Sequence, residues 1–434
     1  MNKSMIRYLL AKLLLIEAML LCVPIVVALL NLKNDFVVKD SPTVFISLFA
    51  TIAILLVLGG MGTLFKPKDF HIYAKEGVLI VALCWILWSF FGALPFVFSG
   101  QIPNIIDAFF EVSSGFTTTG ATILNDVSVL SPSLLFWRSF THLIGGMGVL
   151  VFALAIMDNN KNSHLEVMKA EVPGPVFGKI VSKLKNTAQI LYYLYLALFF
   201  LFVIIYFCAG MPLYDSFIIA MGTAGTGGFT VFNDGIAHYH STLITYLVSF
   251  GVLVFGVNFN LYYYIMLRKF KAFFGDEELR TYLVIVGVSS LLIACNIFHL
   301  YHNFADSFEM SFFQVSNVIT TTGFGFGNTV DWPLFSQFLL LMLMVVGGSA
   351  GSTAGGMKVI RFLILARIGK NQIRSMLSPN RVMTLHINGS SLDKDTQHKI
   401  LKYFVVYTLI MIALIAVVSF DSNNFMTVVS AVFS

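Results

Sequence analysis

A five-residue word built from hydroxyl-bearing and small residues returns three times in this chain: TTTGA at 117–121, GTGGF at 225–229 and TTTGF at 320–324. The fourth position is always glycine (Gly120, Gly228, Gly323), and each copy is set between long apolar runs. Composition says what surrounds these words. The chain is 57% hydrophobic and only 11% charged, far from the balance of ordinary globular domains. A water-soluble fold of 434 residues has no core large enough to hide such runs. The predicted class is an integral membrane protein. A bilayer tolerates irregular backbone only where protein buries it or where it lines a water-filled cavity. Three polar words therefore point to one path with several walls.

Apolar runs at about 8–30 and 43–64 each match the roughly 20 residues that a helix needs to cross the hydrocarbon. The first is too long for a signal-peptide core, contains Lys12 and has no small-x-small cleavage site, so it reads as a retained helix. From about residue 77 a unit repeats: apolar helix, short amphipathic stretch, glycine word, second helix. Gly120 and Gly228 are 108 residues apart and Gly228 and Gly323 are 95 apart, while Phe109, Phe217 and Phe312 each stand 11 residues before their glycine. A fixed internal offset in a period near 100 marks structural repeats. The expected division is 1–70, two N-terminal transmembrane helices; 71–160, repeat 1; 161–272, repeat 2; 273–375, repeat 3; and 376–434, a fourth repeat. In that last unit Phe425 falls where the other three phenylalanines fall. The fourth glycine is expected past Ser434, so the fourth repeat is expected to be truncated and the 434-residue form not to transport.

Lysine and arginine set the expected orientation. The segments 158–186, 268–280 and 358–402 are basic, whereas those holding the words carry almost no positive charge beyond Arg138, with Lys33 and Lys39 in an earlier loop. The positive-inside rule places the basic loops and the N-terminus in the cytoplasm and brings the words in from outside. The net charge of +5 is then loop topology, with no nucleic-acid footprint. The four cysteines, Cys22, Cys84, Cys208 and Cys295, lack metal-ligand spacing and read as small buried hydrophobes.

The chemistry of the word suits a dehydrated cation. An ion that sheds water needs oxygen ligands, and glycine reaches the backbone angles that aim carbonyls inward without strain. Candidate ligands are Thr118, Thr119, Gly120, Thr226, Gly227, Gly228, Thr321, Thr322 and Gly323. The short helix before each word would point its partly negative C-terminus at the ion. Asp107, Glu111, Asp126, Asp215, Asp234, Asp306, Glu309 and Asp331 are expected on the outer side, enriching cations at a mouth. The alternative is that the words are ordinary helix-ending turns. His142, His299 and His302 read as isolated, Arg138 as snorkelling or pairing with Glu111 or Asp126, and no catalytic constellation supports an enzyme. No carboxylate is expected at mid-membrane depth, which separates a channel-like path from a secondary transporter built on unwound helices.

A second stretch, VVGGSAGSTAGGMKVIR at 345–361, places Gly347, Gly348, Gly351, Gly355 and Gly356 with Ser352 inside an expected helix. Each glycine disfavours helix by about 1 kcal/mol relative to alanine. The segment 347–356 is predicted to be a broken, mobile loop able to close the path, the alternative being close helix packing through GxxxG spacing. The phosphate-loop pattern GxxxxGK[ST] is not met. Gly145, Gly146 and Gly148 read as close-packing positions.

Together the words, WRSFTHLIGGMGVLVFALAI at 137–156 and GGSAGSTAGGMKVIR resemble the membrane subunit of the Trk/Ktr/HKT superfamily of potassium transporters, its Trk-type (TrkH) branch in particular. The resemblance implies an all-α membrane fold of four helix, pore-loop, helix units around one ion path, plus two N-terminal helices. It implies potassium as the substrate held at the filter residues, no cofactor bound by this chain, and 347–356 as a gating loop. It further implies a homodimer in the cell inner membrane and a cytoplasmic TrkA-like regulatory subunit that binds ATP, ADP or NAD. A sodium- or proton-coupled cation symporter of the same fold is the alternative.

Overall fold

The structure is a computed structural model describing residues 2–30, 40–69, 74–148, 184–327, 329–378, 384–420 and 424–433. Lys33, Lys39, the basic segment up to 183 and the far half of the helix expected to reach 157 lie outside the described residues. Among the described residues, six helices are long and apolar enough to cross a membrane, or up to seven if a bent pair counts as one span. The described residues form two compact units, one of residues 2–148, 184–251 and 322–326 and one of residues 252–321 and 327–433.

In the first unit α1 (Lys3–Leu20) and α2 (Cys22–Leu30) make up the first span, and α3 (Pro42–Leu64) the second. Asn2 caps α1 by accepting from the Met5 N–H at 3.1 Å, and Pro42 opens α3 where a missing N–H is harmless. Lipid tails are as apolar as leucine, so helices in a membrane associate by close packing. Small residues supply it here: a Cβ at Gly62 would lie 2.4 Å from that of Ala11, which lets α1 and α3 approach closely. Repeat 1 follows as α4 (Ala74–Phe98), the short α5 (Ile105–Phe116) and α6 (Pro132–Met147), and repeat 2 begins with α7 (Leu184–Cys208), the short α8 (Leu213–Gly225) and α9 (Thr242–Phe255). Three cysteines correct the sequence reading: Cys22, Cys208 and Cys295 are exposed on their helices, and Cys84 is buried. Apolar outer faces suit a bilayer, so burial in protein was not required.

Past Phe255 the second helix of repeat 2 does not continue to 270. It stops at Gly256–Val257 and restarts as α10 (Phe259–Met266), capped by Asn258, followed by the short α11 (Phe270–Gly275). The second unit then holds repeat 3 as α12 (Glu277–Tyr301), the short α13 (Phe304–Ile319), α14 (Leu334–Val346) and α15 (Val359–Leu377). A two-stranded antiparallel hairpin, β1 (His386–Ile387) and β2 (Ser390–Ser391), precedes α16 (Lys394–Val418) and α17 (Phe425–Phe433). Its core joins Leu253, Tyr282, Ile293, Ile319 and Leu343.

One joint is built twice. Between repeats 1 and 2 the Tyr195 hydroxyl donates to Leu143 O at 3.1 Å, and three residues on a Cβ at Gly146 would lie 2.6 Å from Gly225 Cα. Between repeats 2 and 3 the Tyr282 hydroxyl donates to Leu253 O at 3.4 Å, and a Cβ at Gly256, again three residues on, would lie 2.8 Å from the Thr320 methyl. Gly225 and Thr320 are each the first residue of a word. The repeat in sequence is thus a repeat in packing, with Gly146 a close-packing position as expected.

Candidate functional site

Each short helix runs straight into its word. Thr118 N–H donates to Gly115 O at 3.1 Å and Thr119 N–H to Ser114 O at 2.9 Å, and the second copy repeats both bonds, Thr226 to Thr223 at 3.2 Å and Gly227 to Gly222 at 2.9 Å. Thr321 N–H donates to Val318 O at 3.0 Å. In the first two copies this is a Schellman ending, whose turning residue takes a left-handed conformation and is normally glycine. Here that residue is a threonine every time: φ is +55° at Thr118, +51° at Thr226 and +56° at Thr321. A β-branched residue at positive φ is a strained outlier, of order 1–3 kcal/mol, and such strain gathers at functional sites.

Two residues further on comes the glycine, at φ +75° (Gly120), +79° (Gly228) and +81° (Gly323). In an extended strand successive carbonyls point to opposite sides; reversing the handedness of alternate residues turns them to one side. The words are more than helix-ending turns, because the glycine stands beyond the turn and its conformation repeats.

The first unit holds residues 117–121, 225–229 and 322–326 together. A Cβ at Gly120 would lie 1.9 Å from Gly227 O, and one at Gly228 would lie 2.1 Å from Thr322 O. Each of these glycines faces a carbonyl of the next word, with the same offset, so the strands stand side by side in rotational order. Only glycine fits at such contacts. The C-termini of α5 and α8 bring their partial negative charge to this point.

Behind the first two words lies a buried stack. Glu111 on α5 accepts from Thr122 Oγ1 at 2.8 Å, from Ile123 N at 3.0 Å and from Arg138 Nε on α6 at 2.6 Å. Both charged side chains are inaccessible, Arg138 at 2% and Glu111 at 0% exposure. The Arg138 guanidinium carbon sits 3.4 Å from the centre of the Phe229 ring, and His142, one turn along α6, stacks on the same ring at 4.0 Å. Phe229 follows Gly228, so the stack ties word 1 to word 2. The imidazole also fills the place where a Cβ at Gly227 would go, 2.6 Å away. Of the alternatives for Arg138, pairing with Glu111 is the one formed, inside the protein and not at a mouth. Two sequence expectations change here: His142 is part of the wall behind the word, and Glu111 braces the backbone instead of facing a mouth.

Asp215 also leaves the set of mouth carboxylates. It is buried and accepts from the Tyr239 hydroxyl at 3.2 Å. That acceptor, after burial itself, helps hold the Tyr239 phenol above its ordinary range. Asp126, Asp234, Asp306 and Asp331 are exposed, and Asp107 and Glu309 half-buried. A further correction concerns depth. Glu17 lies in the middle of the span Lys3–Leu30, fully buried, with neither carboxylate oxygen hydrogen-bonded among the described residues, and its Oε1 is 3.3 Å from the Cβ position of Gly92. A mid-span carboxylate therefore exists. It was hidden in the sequence because the surrounding run is otherwise apolar.

In the second unit the helix of repeat 3 breaks as expected. Residues 347–358 form a non-helical loop with φ of +72° at Gly347 and Gly351 and +76° at Gly356, so GxxxG helix packing does not describe it. Its stem is a backbone clasp: Met357 N–H donates to Val345 O at 3.1 Å, Lys358 N–H to Val346 O at 2.9 Å and Val359 N–H to Gly348 O at 3.0 Å. A Cβ at Gly347 would meet Gly355 O at 2.3 Å. The tip is tied to the break in repeat 2, with Ser349 N–H on Gly256 O at 2.9 Å and Thr353 Oγ1 on Phe255 O at 3.2 Å. Gly355 N–H donates to the hydroxyl of Thr321 at 2.7 Å. Ser352 closes back on Ser349 O at 2.6 Å. The loop thus ends on a residue of the third word.

Comparison with known proteins places this architecture. The TrkH family profile, described as a cation transport protein, matches residues 42–434. The Trk system potassium uptake protein TrkH of Salmonella typhimurium is 34% identical over 369 residues, covering 83% of this chain and 76% of that one. The Trk system potassium uptake protein TrkG of Escherichia coli is 31% identical over 385 residues, covering 87% and 79%. Among solved structures, the crystal structure of the potassium transporter TrkH from Vibrio parahaemolyticus superposes with a TM-score of 0.87 at 28% identity, over 100% of this chain and 89% of that one. A chain of apolar helices interrupted by polar glycine words, with these matches over most of its length, is a multi-pass membrane transport protein and not an enzyme, and it belongs to the TrkH family of cation transport proteins.

Proposed function

We propose that this chain carries potassium into the cell across the cytoplasmic membrane, through a filter formed by Thr118–Gly120, Thr226–Gly228 and Thr321–Gly323. The carrying observation is the threefold alternation of left-handed threonine and positive-φ glycine, with Gly120 and Gly228 each set against a carbonyl of the next word. Carbonyls turned to one side replace the ion's water, and helix C-termini favour its charge. The loop 347–358 is the gate, since it reaches Thr321 and rests on residues 255–256. Relatives named for potassium uptake support the ion. The Trk-type resemblance adds a homodimer, a TrkA-like nucleotide-binding regulator and a cytoplasmic N-terminus. The test is flux in liposomes of the full-length protein carrying Gly120→Ser, Gly228→Ser or Gly323→Ser. Each should lower potassium over sodium discrimination by about tenfold or more, because a side chain there meets a carbonyl or adopts a disfavoured φ. Unchanged preference in all three overturns the filter.

Glu17 supports a second reading, a cation symport coupled to protons. Carboxylates at mid-span depth face the protein interior and mark proton relays in membrane transporters. Glu17→Gln should then leave ion selectivity intact and abolish any dependence of uptake on an imposed proton gradient. Equal gradient dependence in both proteins removes this reading.

A further inference from the structure

A single oxygen holds both ends of the gating loop. Glu278, in the first turn of α12, accepts through Oε1 from Ala350 N–H at 2.7 Å and from Ile360 N–H at 3.1 Å. One amide lies near the start of the loop, the other just past its end, in the first turn of α15. Glu278 is 5% exposed, so neither amide can turn to water without the loop moving. Its setting is specific. Lys358, also buried, donates from Nζ to Ala354 O inside the loop, and Lys358 itself stands at φ +80°. That backbone strain persists only while the surroundings hold it.

We propose that Glu278 is the latch of the loop, a positioning residue that keeps the gate closed by bridging Ala350 and Ile360. The proposal rests on the reading of 347–358 as the gate. Opening must pull at least one amide off Oε1, and the strained turn at Lys358 then relaxes, so the latch and the strain oppose each other. The latch sits where an outside element can reach it. The two residues before it are held by the β1–β2 hairpin: Asn388 Oδ1 accepts from Glu277 N–H at 2.9 Å and Asn388 Nδ2 donates to Asp276 Oδ2 at 2.7 Å. Arg367 on α15 pairs with Glu277 at 2.7 Å. A shift of the hairpin therefore acts on the turn that carries Glu278.

The experiment compares basal potassium flux of the full-length protein, per inserted protein, for Glu278→Leu, Glu278→Asp, Glu278→Gln and a loop shortened by five residues within 348–356. Leu offers no acceptor, and Asp keeps the charge but is one methylene short. Gln keeps the bridging oxygen at the same reach. Expected are a rise of about tenfold in the Leu and Asp proteins, consistent with leaving a buried amide unpaired, and near-normal flux in the Gln protein. Combining Glu278→Leu with the shortened loop should add nothing to the shortened loop alone. If the shortened loop raises flux while Leu and Asp do not, the latch is wrong and the gate stands. If Gln rises as far as Leu while Asp stays closed, charge and not bridging is what matters, and the proposal fails. An unchanged flux in the shortened loop removes the gate reading itself. Should Glu278→Leu fail to insert, hydrogen exchange at 347–360 decides on the Asp protein: faster exchange than in Glu278→Gln is expected, and equal exchange overturns the latch.

Discussion

Repeats 1 and 3 present the same word on the same backbone and differ in what stands behind it. Thr118 and Gly120 have φ of +55° and +75°, and Thr321 and Gly323 of +56° and +81°. Behind word 1 the helix Pro132–Met147 carries Arg138 against Glu111, both sealed from solvent. In repeat 3 the helix Leu334–Val346 carries no charged residue and is followed by a loop held by amide hydrogen bonds. The backbone geometry of the word is therefore local, set by the word and the helix that enters it. Support is a separate property, an ion pair that cannot be released cheaply in one repeat and a set of neutral clasps in the other.

The comparison breaks most sharply at the ion pair. Removing one member of a buried pair strands a charge, at about 3–5 kcal/mol, which is a large part of the stability of a typical domain. Arg138→Met and Glu111→Gln should each lose most of the folded protein from the membrane. The double variant should recover much of it, since no lone charge remains. Its potassium over sodium discrimination should still fall, because Thr122, Ile123 and Phe229 lose their common anchor. Detergent-extracted protein surviving a heating step gives the first quantity and ion flux the second. A double variant with full selectivity would reduce the pair to a folding element.

A smaller effect, of opposite sign on stability, is expected at the turning threonines. Thr226→Gly relieves a β-branched residue of positive φ and should stabilise the protein by about 1 kcal/mol. It also removes the hydroxyl that donates to Gly225 O at 2.7 Å and loosens the strand, so selectivity should drop while the melting temperature rises. The same trade at Thr321→Gly should come with higher basal flux as well, because Gly355 N–H loses its acceptor. If Thr226→Gly also raises basal flux, the contact with the loop does not set the third word apart from the others.

Much of this was legible in the sequence for reasons of range. The words, the short helices before them and the break at 347–358 depend on glycine, threonine and apolar runs within some fifteen residues, and all appear where the spacing puts them. Contacts across the fold were not. Glu111 and Arg138 are 27 residues apart; the sequence offers Glu111 only as one of two partners for Arg138, beside snorkelling, and does not place the pair behind the words. Glu278 lies in the first turn of its helix, where any carboxylate is favoured by the helix dipole, and nothing local reveals the amides it holds 72 and 82 residues away. The stop after Phe255 has one glycine and an Asn cap as its only signals, too few to outweigh an apolar run. Glu17 has no local signal inside such a run.

The smallest expected effect tests whether the difference between repeats reaches the surface. Each unit has an asparagine clasp on an exposed turn: Asn233 accepts from Val127 N–H at 2.9 Å and donates to Asp126 at 2.8 Å, and Asn388 does the same for Glu277 and Asp276. Water can replace either partner, so each substitution by alanine should change stability by no more than about 1 kcal/mol. Ser128 and then Asn233 hold the Asp126 carboxyl below its ordinary range. A carboxyl with a depressed value contributes above its unfolded pKa and loses that contribution as pH falls through its folded one. The Asn233 clasp should therefore be intact at neutral pH and loosen only in acid. Assayed at neutral pH, Asn233→Ala should leave basal flux unchanged, because the turn it holds leads to a rigid wall. Asn388→Ala should raise it about twofold, because the turn it holds carries Glu278. Equal flux in the two variants would mean that the latch does not feel the hairpin, and that the route from the surface to the loop lies instead through Arg367 and α15.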